Sequence, residues 1–173
     1  FIADPFVNVN PSEDQLVVAT QDCLDFIRKF GLEPKVALLS HSNFGTYDDE
    51  GAHKMKVAAD RLRGFNPDLE IDGEMHAISA FNEQLRSSIY QNNHLPGRAN
   101  LLIMPNMDAA SIALGLSRSI TNANMIGPYL NGLDKAAHIL IPSVSARGIF
   151  NMAALTVEDS LTQRGGVQQS LLA

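Results

Sequence analysis

Seven residues that follow a short apolar run, Ser40-His41-Ser42-Asn43-Phe44-Gly45-Thr46, concentrate the groups best suited to hold a ligand. Hydroxyls, an amide, an imidazole and a glycine could bind a phosphate or an amide-bearing chain through side-chain and backbone donors. The same composition also suits a polar strand-to-helix turn. It is not a Walker loop, since it has neither the glycine spacing nor the lysine. His41, His53, His76, His94 and His138 show no metal-ligand spacing, and the lone Cys23 adds little to a zinc set. Of these only His41 falls at a predicted strand end. Asp72-Gly73-Glu74 could be a proton-transferring acid pair, but reads first as a turn with solvated carboxylates. Asp48-Asp49-Glu50 reads as the charge cluster opening a helix, and Met104, Met107 and Met125 read as core.

These groups sit among alternating helical and strand patterns. Asn10-Pro11-Ser12-Glu13 supplies an N-cap, a Pro at the first helical position and a first-turn acid. The helix that follows carries Leu16, Ala19, Cys23, Leu24, Ile27 and Phe30 on one stripe and ends at Gly31. Val36 to Leu39 is a continuous apolar run, as expected of a strand buried on both faces of a parallel sheet. A helix over about Asp48 to Arg63, a strand over Leu69 to Met75 interrupted at Asp72-Gly73, and a helix over Ser79 to Tyr90 come next. Leu101 to Met104 is a buried strand stopped by Pro105-Asn106, and Asp108 to Ile120 a helix rich in small residues. Met125 to Pro128 and Ala137 to Ile141 read as further strands. A last helix over about Val144 to Leu161, capped by Ser143, breaks at Gly165-Gly166.

Strands alternating with helices predict an α/β fold with a largely parallel sheet and flanking helices. One domain over 1–163 and a loose tail over 164–173 are expected. Ligands in such folds bind beyond the carboxyl ends of the strands, which points to residues 40–46, 105–108, 127–132 and 142–147.

The chain has 173 residues, 45% apolar and 18% charged, with a net charge of −6. That is an ordinary globular composition with no electrostatic attraction for nucleic acid or an anionic membrane. No apolar run approaches a bilayer span. A single cysteine fits a reducing, cytoplasmic setting. Phe1 opens inside an apolar-polar stretch running to Val9, which reads as a strand or connector within a longer protein.

Several segments in order resemble phosphotransacetylases, enzymes that move acetyl between phosphate and coenzyme A. They are Val36 to Ser42 with Gly45, Pro67-Asp68-Leu69 with Asp72-Gly73-Glu74, Gly97 to Asn100 with Pro105, Ile126-Gly127-Pro128 with Gly132, and Ile149 with Asn151. Within that group Leu39 to Gly45 (LSHSNFG), Glu74 to Ala77, Met104 to Ala110 and Pro142-Ser143 followed by Asn151-Met152 resemble the phosphotransacetylase-like domain of multi-domain NADP-dependent malic enzymes. The likeness implies an isocitrate/isopropylmalate dehydrogenase-like phosphotransacetylase fold, of which this chain is the second domain plus the segment returning to the first. In phosphotransacetylases a Ser-Arg-Gly triplet, and an Asp seven residues after that Ser, occupy positions that here are Ile141, Pro142, Ser143 and Gly148. Ile78, Ser111 and Leu114 depart from the usual Asp, Asn and Tyr even of the malic enzymes, so the helix cap at residue 78 is expected to be lost or moved to Ser79.

The resemblance therefore implies a non-catalytic domain that mediates oligomer assembly and senses acetyl-CoA in a degenerate cleft. NADP and a divalent metal (Mg or Mn) would sit on a malic domain outside this chain. The expected effector contacts are Ser40, His41, Ser42, Asn43, Asn106, Ser143 and Arg147, with Lys135 and Arg98 as further candidates for the coenzyme phosphates. No catalytic or metal-ligating residue is expected here. A dimer through this domain is expected, the small-residue face of Ala109 to Gly115 being a suitable surface. The alternatives are an active phosphate acetyltransferase with a relocated cation, and a pure dimerisation module.

Overall fold

A computed structural model describes residues 1–121, 125–133, 135–142 and 144–170. Contacts divide the chain into two compact units, Phe1–Ser119 and Ile120–Ala173, and each is described by itself.

The first unit is built on three parallel strands, β1 (Lys35–Leu39), β2 (Glu70–Met75) and β3 (Leu101–Ile103), in the order β2-β1-β3. Ile2 adds a parallel bridge to Leu102 at the β3 edge, which accounts for the strand character at the start of the chain. Around the sheet lie α1 (Glu13–Lys29), α2 (Glu50–Phe65), α3 (Ala77–Phe81), α4 (Glu83–Ile89) and α5 (Met107–Thr121). Successive strand residues point to opposite faces, and both faces are buried. Val36, Leu38, Ile71, Leu101 and Ile103 pack with α1 and α2 residues such as Ile27 and Met55. Ala37, Leu39 and Met75 pack with Ala80, Leu95, Met104 and Ala110 on the other side. This two-sided burial is why β1 reads as an unbroken apolar run.

Local chemistry sets the helix boundaries. Ser12, not Asn10, caps α1, forming a capping box with Gln15. Asn10 instead accepts from Lys54 Nζ at 2.9 Å. The predicted helix over Ser79 to Tyr90 is two helices broken at Asn82, whose Oδ1 accepts from Leu85 N–H at 3.0 Å. An Asn offers its backbone this local alternative to a continuous helix. His76 opens α3 without a side-chain cap, so the cap is not moved to Ser79, which is buried. Cys23 is partly buried against the α1 and α2 core, and burial pushes its thiol up to about 11, as suits a core thiol.

Asp49 caps α2 through Gly51 N–H at 2.8 Å and Ala52 N–H at 3.1 Å. Those bonds, Ala52 first, hold its carboxyl below the ordinary 3.8. A lowered folded value stabilises above the unfolded one and is lost as pH falls through the folded value. Asp49→Ala is therefore expected to lower the thermal midpoint at neutral pH and to narrow the gap between neutral and acid midpoints, while Asp49→Asn keeps most of the cap. Thermal unfolding at the two pH values checks it, and an Ala variant as stable as wild type at neutral pH would contradict it.

Among the described residues of the second unit α6 (Ala146–Ser170) is the main regular element. It runs past Gly165-Gly166, where the sequence pattern predicts a break. Each glycine disfavours helix by about 1 kcal/mol relative to Ala, yet keeps the N–H and C=O that the helix needs. Met125 to Pro128 and Ala137 to Ile141 are not strands. Ile126, Ile139 and Leu140 are exposed there, and a strand forms only against a paired neighbour.

Candidate functional site

Because the three strands are parallel, Ser40, His76 and Met104 all leave the sheet at the same edge. The loop after β1 and the turn before α5 are thus brought together at the carboxyl end, as the sequence pattern requires.

The loop after β1 is an internally closed structure. Ser42 N–H donates to Ser40 Oγ, Asn43 N–H to Thr46 Oγ1 and Phe44 N–H to the Glu74 carbonyl. Gly45 N–H donates to Glu74 Oε1, Thr46 N–H to the Asn43 carbonyl and Tyr47 N–H to Ser42 Oγ. Every backbone donor from Ser42 to Tyr47 is therefore already used, and the loop offers no cradle of free N–H groups to a phosphate. Two of its polar side chains are also committed. The Ser42 hydroxyl donates to Glu74 Oε1 at 2.8 Å, and Asn43 Oδ1 accepts from His76 N–H at 2.9 Å and from the Ser79 hydroxyl at 3.2 Å.

His41 is the loop's outward group. Its ring Nε2 lies 2.8 Å from Asp49 Oδ2, with more than half of the side chain exposed. Its carbonyl lies 2.6 Å from His76 Nε2, so that nitrogen carries the proton. Tyr47 lies against the His41 ring at 5.5 Å. Asn106 Oδ1 accepts from Ala109 N–H at 2.9 Å, so this predicted ligand residue caps α5. Lys54 Nζ bonds the adjacent Pro105 carbonyl at 2.8 Å, and burial lowers its pKa. Arg98 sits outside this edge, 5.7 Å from the centre of the Phe81 ring.

Asp72 and Glu74 are not solvated turn residues. Both are almost completely buried on β2. Asp72 Oδ1 takes Arg63 Nη1 at 3.3 Å, and Oδ2 takes His94 N–H at 2.7 Å. Glu74 is the extra residue of a bulge, since Leu38 pairs with Gly73 and Leu39 with Met75. Gly73 has φ +153°, and a Cβ there would stand 2.7 Å from both the Cβ and the carbonyl oxygen of Leu38. Only glycine fits. Sequence reasoning named Glu74 but read it as solvated, although its place between the apolar Ile71 and Met75 was a signal that the acid lies within a buried strand.

In the second unit Arg147 is exposed on the first turn of α6 and Lys135 is also exposed, while Ser143 lies outside the described residues. A cluster with no sequence signature forms here. Asp159 Oδ2 accepts the Tyr129 hydroxyl and lies 3.2 Å from His138 Nε2. His138 Nδ1 accepts Leu130 N–H at 3.2 Å, which places the ring proton on Nε2. Burial first, then the bond to Asp159, raises the Tyr129 pKa. Among the described residues no three His, Cys, Asp or Glu side chains gather as a metal set, and no helix is long and apolar enough to cross a membrane.

Comparison with known proteins agrees with this architecture. The chain is 47% identical over 160 residues to the NAD-dependent malic enzyme of Rhizobium meliloti (strain 1021), covering 92% of this chain and 21% of that protein. It is 34% identical over 164 residues to the phosphate acetyltransferase of Clostridium acetobutylicum, covering 94% of this chain and 49% of that protein. The chain thus spans about a fifth of one and about half of the other. The crystal structure of a phosphotransacetylase from Streptococcus pyogenes superposes with a TM-score of 0.86 at 27% identity, over 92% of this chain and 49% of that one. The fold is that of the phosphotransacetylases. Residues 1–157 match the family described as Phosphate acetyl/butaryl transferase, and to that family this chain belongs.

Proposed function

We propose that this chain is a regulatory and assembly domain of a cytoplasmic malic enzyme, without acetyl-transfer activity, and that it senses acetyl-CoA at a degenerate acetyltransferase site. The observation that carries the reading is Ile141-Pro142-Ser143 with Gly148, in a chain 47% identical to a malic enzyme. Acetyl transfer to phosphate needs a cation for the phosphate and the developing acyl oxyanion, and a carboxylate to help deprotonate the thiol. Pro142 supplies neither charge nor N–H, and Gly148 has no side chain.

In this reading His41 and Ser40 at the sheet edge are the acetyl-CoA contacts of the first unit, Arg147 is a separate candidate in the second, and Ser143 is a candidate by sequence alone. Ser42, Asn43 and Asn106 then act by shaping that edge, since their side chains are bonded within the first unit. NADP, Mg or Mn, and the conversion of malate to pyruvate belong to a malic domain outside this chain. The dimer would not use the small-residue face of α5, because Ala109, Ala110 and Ala113 pack on the unit's own core. Exposed Ile112 and Leu116, four residues apart on the same helix, are the better contact.

Malate oxidation by the whole protein, titrated with acetyl-CoA alongside calorimetry, tests this. Saturable binding with inhibition is expected; no binding together with unaffected oxidation would overturn it. The identity to a phosphate acetyltransferase favours an acetyltransferase as second reading. Turnover of acetyl phosphate and coenzyme A at ordinary enzyme rates would establish that instead. A sedimenting dimer with no ligand effect would leave a pure dimerisation module.

A further inference from the structure

The loop after β1 contains a backbone conformation that Phe44 does not favour. Phe44 has φ +51° and Gly45 φ +86°, two successive left-handed residues of which the first is bulky. A bulky side chain in that region is held only where its surroundings over-determine it, and such places cluster at ligand clamps. Here the surroundings are mostly one residue. The Glu74 carbonyl accepts Phe44 N–H at 2.9 Å, and its carboxylate Oε1 accepts Gly45 N–H at 2.6 Å and the Ser42 hydroxyl at 2.8 Å. Ser42 Oγ in turn accepts Tyr47 N–H at 3.2 Å, so the bonds reach to the loop's far end. The Phe44 ring stacks on Tyr90 at 4.6 Å and 14°. Glu74 is itself 1% exposed, aimed into the loop from the bulge at the end of β2.

We propose that Glu74 is the positioning residue of this edge: its buried carboxylate holds the left-handed Phe44-Gly45 turn and thereby presents His41 and Ser40 to the effector. This rests on the reading that the loop contacts acetyl-CoA. A carboxylate is suited because one acceptor oxygen takes two donors that approach from different residues. The amide oxygen of a glutamine can take the same two bonds. An aspartate carries the charge but is one methylene short, and an alanine leaves Gly45 N–H without its acceptor and the Ser42 hydroxyl with only the 3.5 Å contacts to Thr46 Oγ1 and the Tyr47 carbonyl.

The test uses the whole protein as wild type, Glu74→Gln, Glu74→Ala and Glu74→Asp. It reads the acetyl-CoA concentration for half-inhibition of malate oxidation and the amide exchange of residues 42–47. Glu74→Gln is expected to stay within about twofold of wild type in half-inhibition. Glu74→Ala is expected to raise that concentration about tenfold or more, the loss of roughly one charged hydrogen bond, and to speed exchange over 42–47 while β1 and β2 stay protected. Should the Ala variant fail to fold, Glu74→Asp carries the test, with a rise of several-fold expected. Unchanged half-inhibition in Ala or Asp, or Gln as impaired as Ala, would overturn the proposal. If wild type is not inhibited at all, the effector reading fails. Exchange then judges Glu74 alone: faster exchange in Ala but not Gln upholds its hold on the turn, and unchanged exchange refutes it.

Discussion

Given acetyl phosphate and coenzyme A, the protein that contains this chain is expected to form acetyl-CoA at least about 1000-fold more slowly than a phosphate acetyltransferase assayed beside it. Removing a single donor to a developing oxyanion costs about 100- to 1000-fold, and on the proposed reading the cation and the carboxylate are both missing. Arg147 is close in sequence, but it stands exposed on the first turn of α6, five residues past the position that would carry the arginine. Restoring the lost groups is not expected to restore the reaction. A Cβ at position 148 would stand 2.7 Å from Val144 Cγ2 and 3.4 Å from Ser145 Oγ. Valine is stiff about χ1, so it yields only by moving the backbone ahead of α6. An acid in the first turn would gain a little from the helix dipole, about 0.3–1 kcal/mol. Overpacking costs about 1–3 kcal/mol and decides the balance. The Pro142→Arg, Gly148→Asp variant should therefore remain within about tenfold of its parent in thioester formation. Recovery to the rate of the comparison enzyme would mean that the site was only idle, not rebuilt.

The contrast between what the residues announced and what they conceal follows from the range of the forces involved. The α1 stripe, the apolar run of β1 and the acid cluster before α2 are local patterns, and the structure contains them within a residue or two. Polar side chains at the strand ends are a different matter. Ser42, Asn43 and Asn106 have the chemistry of ligand-holding groups, but the same hydroxyls and amides cap helices and close turns. For Ser42 and Asn43 the partners decide between the two uses, and those partners, Glu74, His76 and Ser79, lie more than thirty residues from them, whereas Asn106 caps its own helix through Ala109. Asp72 and Glu74 look solvated by residue type for the same reason, because Arg63 and Ser42 reach them only in the fold. Ile139 and Leu140 show the converse: an apolar run suggests a strand, but a strand also needs an edge to pair with, which no local pattern supplies. Tyr129, His138 and Asp159 meet across thirty residues with no periodicity to betray them.

Arg86 is the extreme case of a long-range demand, and its replacement by Met is expected to cost about 3 kcal/mol or more in local stability. The guanidinium is fully buried, with no acid among the described residues in contact with it. Burial lowers its pKa, with Glu83 and Asp72 opposing the shift from farther off. Instead of a carboxylate it holds carbonyls: Nη1 donates to Ser79 at 2.6 Å, and Nη2 donates to Gly97 at 2.8 Å and to Leu95. Those oxygens belong to α3 and to the loop that returns the chain to β3, so one side chain on α4 ties three segments together. Met has nearly the right volume, and removing a buried charge relieves a desolvation penalty. The carbonyls stay buried, however, and each one left without a donor costs about 1–3 kcal/mol. With three such oxygens the loss exceeds the relief. Lys would keep the charge, but its single ammonium cannot reproduce the planar fork that spans Ser79 and Gly97. In the whole protein, amide exchange over α4 and residues 91–98 is expected to accelerate about 100-fold in Arg86→Met, while α1 and β1 change little. Equal protection in the variant and the wild type would show that packing of Leu95 and Ala99, not the guanidinium, holds the loop.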